Sequence, residues 1–134
     1  MKVRIIQEPL CVLLWRFDEK SAGYDDLAHA ARAYKLKIRC IGDGDLAAKV
    51  GDLCQWLPSP AFAPFIKVSD RPAMIVSGLR HDTGELGHFL DLVKAGGAEF
   101  PLRGMVTPTS KNWTLLQLLQ ELNSEHETVA GGKA

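Results

Sequence analysis

Short, nearly unbroken apolar runs alternate along this chain with longer stretches in which apolar residues return every three or four positions. Leu10 to Phe17 (LCVLLWRF) is almost continuously apolar, which suits a strand covered on both faces. Ser21 to Lys35 predicts a helix, with Tyr24, Leu27, Ala31 and Tyr34 along one face. Leu36 to Ile41 (LKIRCI) alternates apolar and charged residues and predicts a strand nearer the sheet edge. Asp45 is placed to cap a second helix, whose stripe is Leu46, Val50, Leu53 and Leu57. Pro58 and Pro60 stop it.

Pro58 to Arg71 is irregular and unusually long for a connection in a compact domain. Ala73 to Val76 (AMIV) then reads as a buried strand, ended by Ser77-Gly78. Asp82, with Glu85 three residues later, predicts a capping box for a third helix. Leu86, Phe89, Leu90 and Val93 form its inner face, and Gly96-Gly97 closes it. Leu102 to Thr107 (LRGMVT) is the fourth strand, where Gly104 gives a neighbouring helix room to approach. The last helix starts near Asn112 and presents Leu115, Leu118, Leu119 and Leu122. Val3 to Ile6 is either an extra strand or a lead-in ended by Pro9.

The order β-α-β-α-β-α-β-α predicts a three-layer α/β domain around a mainly parallel four-stranded sheet. The expected strand order is 2-1-3-4, and an antiparallel last strand is the alternative. In a parallel sheet all strand ends would gather at one rim, where open α/β sheets bind their ligands. Residues 1–128 make one domain, and 129–134 (VAGGKA) read as a disordered tail.

Charge narrows the function classes. Sixteen basic and sixteen acidic residues cancel, so nothing points to nucleic acid or an anionic membrane. No apolar run nears the roughly 20 residues that span a bilayer. Cys11, Cys40 and Cys54 are an odd number without a CxxC pair, which favours reduced thiols and a cytoplasmic location. His29, His81, His88 and His126 have no metal-ligand spacing, so neither a metal nor a cofactor is expected. Phosphate-loop, dinucleotide and nucleophile-elbow signatures are absent.

Two segments resemble a known family. Met74 to Leu79 ends a strand in Ser77-Gly78, and Leu102 to Thr114 (LRGMVTPTSKNWT) runs through Thr107, Pro108, Thr109, Trp113 and Thr114. With Glu121, Leu122, Glu125 and His126, they resemble a small bacterial family, domain of unknown function 3783, over roughly residues 10 to 127. Ser110 departs from the Asn usual there. The resemblance implies a small α/β fold and no particular activity.

Candidate sites follow from the expected rim. Thr107, Thr109, Ser110 and Lys111 offer three hydroxyls and an ammonium before a helix, and Arg16, Ser77 and Gly78 end two other strands. Together they suit a small anion. The competing reading is that the hydroxyls cap the helix. Phe62, Phe65 and Ile66 in the long connection, with Trp113, suit a protein partner or a second copy of the chain. The competing reading folds these aromatics onto the core. No convergent catalytic set appears. The expected function is a non-catalytic binding or regulatory module acting through protein contacts, with a small-anion or enzymatic site at the strand ends as the alternative.

Overall fold

The computed structural model describes residues 9–60, 68, 70–79 and 82–131. Phe62, Phe65, Ile66 and the Val3–Ile6 stretch lie outside them. Four strands, β1 (Cys11–Trp15), β2 (Lys37–Ile41), β3 (Ala73–Ser77) and β4 (Leu102–Met105), form one sheet in the order β2-β1-β3-β4. Four helices accompany them: α1 (Tyr24–Ala33), α2 (Val50–Cys54), α3 (Glu85–Ala95) and α4 (Leu115–Gly131). The α/β class and the strand order are as the sequence predicts.

Every residue of β1 and β3 is buried, because both sheet faces are covered. Alternation then sorts the side chains. Cys11, Leu13, Trp15, Ala73 and Ile75 pack with Val50, Leu53 and Cys54 of α2 and with Leu115, Leu119 and Leu122 of α4. Val12, Leu14, Met74 and Val76 pack with Leu27 and Ala31 of α1 and with Leu86, Phe89 and Val93 of α3. Each such buried aliphatic or aromatic side chain contributes about 1.5–3 kcal/mol. A one-residue register slip would exchange the two faces and forfeit both sets.

Strand direction corrects the expected geometry. β1–β2 and β3–β4 are parallel, but the central pair β1–β3 is antiparallel, with Trp15 opposite Ala73 and Cys11 opposite Ser77. Strands β1 and β2 therefore end at one rim, and β3 and β4 end at the opposite one. The cause lies between β2 and β3. The chain leaves the Ile41 end, runs across the sheet face to α2, and is back near its departure by Ser59, whose hydroxyl donates to Asp45 Oδ1 at 2.5 Å. β3 then starts at the rim where β2 stopped.

The same excursion breaks the predicted second helix. Residues 43–45 form a 3-10 turn, and the α-helix is only Val50–Cys54. Asp45 does not cap that helix; it accepts the Gly42 N–H at 2.9 Å. Residues 46–50 are held instead by the start of α4. Leu116 N–H donates to Leu46 O, Leu115 N–H to Ala48 O, and Val50 N–H to Trp113 O. Leu46, Val50 and Leu53 stay buried, but Leu57 is 43% exposed.

Two other helix starts move. Asp82 is not the cap of α3; Gly84 is, in the left-handed region at φ 81. Helix α4 begins at Leu115, after a 3-10 turn at Ser110–Asn112 and an extended Trp113. Its cap is Thr114, whose Oγ1 accepts the Gln117 N–H at 3.2 Å.

Gly104 plays the expected role. A Cβ there would stand 3.2 Å from Leu122 Cδ1 of α4. Gly104→Val should therefore destabilise the fold by about 1–3 kcal/mol through overpacking. Urea unfolding followed by circular dichroism measures this; an unchanged midpoint would show that α4 does not rest on β4.

Candidate functional site

At the rim where β3 and β4 end, the chain builds a cleft of about 460 Å³. Ser77 closes β3, and alternation turns it toward the face that carries α2 and α4. Helix α2 comes close because Gly51 has no side chain; a Cβ there would meet Lys111 O at 3.0 Å. Lys49 and Asp52 on one wall thus face Lys111 and Asn112 on the other, with Ser77 between them. Two ammoniums against one carboxylate leave this lining with net positive charge.

Ser77 is 1% exposed, and its Oγ has no hydrogen-bond partner among the described residues. A buried hydroxyl without a partner costs roughly 1–3 kcal/mol. Most serines at strand ends bond to nearby backbone. Ser77 is among the residues that line the cleft, so a group bound there is placed to supply that partner.

Gly78, just beyond, holds φ at +91, and a Cβ there would lie 2.7 Å from Pro9 O. Its function is to let the chain turn tightly against Pro9 and Leu10. A second, more open hollow of about 600 Å³ adjoins the first and shares Pro9, Cys54 and Gln55 with it.

The other predicted residues distribute unevenly. Thr107 and Ser110 satisfy each other: Thr107 N–H donates to Ser110 Oγ at 2.9 Å and Ser110 N–H to Thr107 Oγ1 at 3.0 Å. This reciprocal pair forms the turn that delivers Lys111; the expectation that these hydroxyls cap the last helix fails, because that cap is Thr114. Thr109 is exposed at the head of the 3-10 turn, outside the cleft lining. Trp113 is half-buried against the core that includes α2 and α4.

Arg16 belongs to the opposite rim, so it cannot share a ligand with Ser77 and Lys111. Its guanidinium pairs with Asp43 at 2.9 Å and Asp70 at 3.2 Å and lies 4.2 Å from the Trp15 ring centroid. The hydrogen bond it donates to Asp43 holds its pKa above the ordinary value, with the charges of Asp43 and Asp70 adding to it.

Lys49, Gly51, Asp52 and Gln55 escaped the sequence reading because they occupy the flank of what looks like an ordinary amphipathic helix. Gly51, a glycine inside that predicted helix, was the available signal.

Among the described residues no helix is long and apolar enough to cross a membrane, and no group of three or more His, Cys, Asp or Glu could hold a metal ion. An open sheet with helices on both faces and a polar rim cleft defines a small α/β module. Residues 72–129 match the family described as Domain of unknown function (DUF3783). The match spans β3, α3, β4 and most of α4, a narrower stretch than the 10–127 of the sequence resemblance. No curated protein and no solved structure matches the chain.

Proposed function

We propose that this protein is a non-catalytic binding module of the bacterial cytoplasm whose ligand is a small anion carrying phosphoryl or similar oxygens. What carries the reading is the partnerless Ser77 hydroxyl, buried at the wall of a cleft that Lys49 and Lys111 also line. A ligand oxygen there would accept from Ser77 and Asn112 while the ammoniums offset its charge. The described lining offers hydroxyl and amide donors and two ammoniums, Ser77, Asn112, Lys49 and Lys111, a set that suits binding of an anion.

Protein contacts are the weaker reading. The large exposed apolar side chains on the described surface are Trp56, Leu57 and Leu92, and only the first two are neighbours. Two side chains fall far short of the roughly 800 Å² per partner of a stable interface.

Inorganic pyrophosphate is the probe. It should raise the melting temperature, by the equivalent of about 2.7 kcal/mol at a hundredfold excess over Kd. Added salt should shrink the effect. Ser77→Ala separates binding from folding: it leaves stability unchanged or higher, since no bond is lost, yet weakens pyrophosphate roughly tenfold. Lys49→Ala should weaken it by a similar factor. An undiminished shift in both variants, or none in the parent protein, removes the proposal.

A further inference from the structure

Two spaces meet beside α2. The second, of about 600 Å³, is lined in part by Lys35, Lys37, Gln55 and Trp56, and it shares Pro9, Cys54 and Gln55 with the cleft that Ser77 lines. An inorganic anion would occupy only part of the cleft; spaces of roughly 300–1,000 Å³ suit larger organic ligands. Positive charge continues from one space into the other. The hollow adds Lys35 and Lys37 to Lys49 and Lys111, with Asp52 as the one carboxylate in the two linings, in a chain whose formal charges cancel.

The backbone at the hollow's rim is unusual. Lys35 follows Tyr34, the cap residue of α1, and Trp56 follows Gln55, the cap residue of α2. Both hold φ in the left-handed region, at 59 and 58. Glycine is the usual residue just beyond a helix cap, because a Cβ is strained there. Here an ammonium and an indole occupy these positions in spite of the strain, and both line the same hollow. Arg39, held by Leu53 O at 2.9 Å and Leu57 O at 3.3 Å, sets its guanidinium 5.8 Å from the indole centroid. Trp56 is nonetheless 44% exposed, so the ring is braced by a cation and still open to a ligand.

We propose that the anion in the cleft is the diphosphate end of a nucleoside diphosphate, whose base stacks on Trp56 in the adjoining hollow. A nucleotide here presupposes the anion site proposed above and names its ligand class. Ser77, Asn112, Lys49 and Lys111 take the phosphoryl oxygens. The sugar lies along the shared wall of Pro9, Cys54 and Gln55. The base presents a flat π face to the indole, a contact that any base can make. Lys35, Lys37 and Gln55 donate to ribose oxygens and to carbonyl or N7 acceptors of the ring.

The test titrates the full chain with GDP, ADP and inorganic pyrophosphate by isothermal calorimetry, without added metal. At least one nucleotide should bind roughly 5–150-fold tighter than pyrophosphate, the range for one base stacked on an aromatic side chain. Trp56→Gly is the deciding variant. Glycine relieves the left-handed backbone, so the melting temperature should hold or rise. Pyrophosphate affinity should stay unchanged while the nucleotide advantage disappears, and Trp56→Phe should restore most of that advantage. Nucleotides that bind no tighter than pyrophosphate to the parent protein, or an advantage that survives in Trp56→Gly, overturn the inference and leave the anion site standing. A Trp56→Gly chain that loses pyrophosphate as well assigns Trp56 to the shape of the cleft and overturns it too. No binding of nucleotide or pyrophosphate by the parent protein overturns both proposals.

Discussion

Trp15→Ala should cost the protein about 3–5 kcal/mol, the range for deleting a large buried aromatic side chain. Trp15 is 0% exposed at the end of β1, in the core layer shared with α2 and α4. Its register partner on β3 is Ala73, a residue too small to fill the space the indole would leave. Strands on both sides fix the backbone, so the cavity cannot collapse. The ring also supports Arg16, which sits above it in the left-handed region at φ 55. A comparison isolates the packing. Arg16→Ala breaks only ion pairs to the exposed Asp43 and Asp70, worth about 0–1 kcal/mol each, and a cation–π contact of about 0.5–1 kcal/mol. Urea midpoints by circular dichroism decide the matter. Equal losses in the two variants would mean that the indole matters as a platform and not as core. A domain of ordinary stability has about 5–15 kcal/mol in total, so the tryptophan variant should unfold well below the parent midpoint.

The layers and the strand order were legible because burial leaves a periodic trace. The runs at 11–15 and 73–77 announce strands covered on both faces, and the charged alternation of 37–41 announces an edge. Direction leaves no such trace. A strand buried on both sides reads the same whichever way it runs, and the β1–β3 reversal follows from the excursion to α2 that brings Ser59 back beside Asp45. That reversal separates Arg16 from Ser77 and so splits the predicted anion site in two. The hydroxyls of Thr107 and Ser110 were read for either capping or binding, and geometry gives them to each other. Ser77 could be named as a strand end, but its missing partner is visible only in three dimensions. Lys49 and Asp52 reach the cleft because residues 46–50 bond to the start of α4 and not to one another, a tertiary override of a good helical stripe.

Cys11 also makes the fold sensitive to alkali. Its thiol is pushed far above the usual 9.0, first by the hydrogen bond with Cys54, then by burial and by the Cys54 charge; Arg39 opposes them. In the unfolded chain the same thiol ionises near its ordinary value. Below pH 9 both states keep the proton, so Cys11 adds no pH dependence. Above pH 9 the unfolded chain sheds a proton that the folded protein retains, and stability falls as pH rises. The slope should approach about 1.4 kcal/mol per pH unit by pH 10. Cys40, raised by burial and by Asp18 and Glu19, and Tyr24, raised by burial, add to the same sign, but both are more open to solvent. Urea midpoints at pH 7.5, 9 and 10, under a reductant active in alkali, give the slope directly. Cys11→Ala should start from a lower plateau, because it leaves a small cavity, and then decline much less between pH 9 and 10. The same steep decline in that variant would assign the alkaline loss to other groups and leave the buried thiol pair without energetic weight.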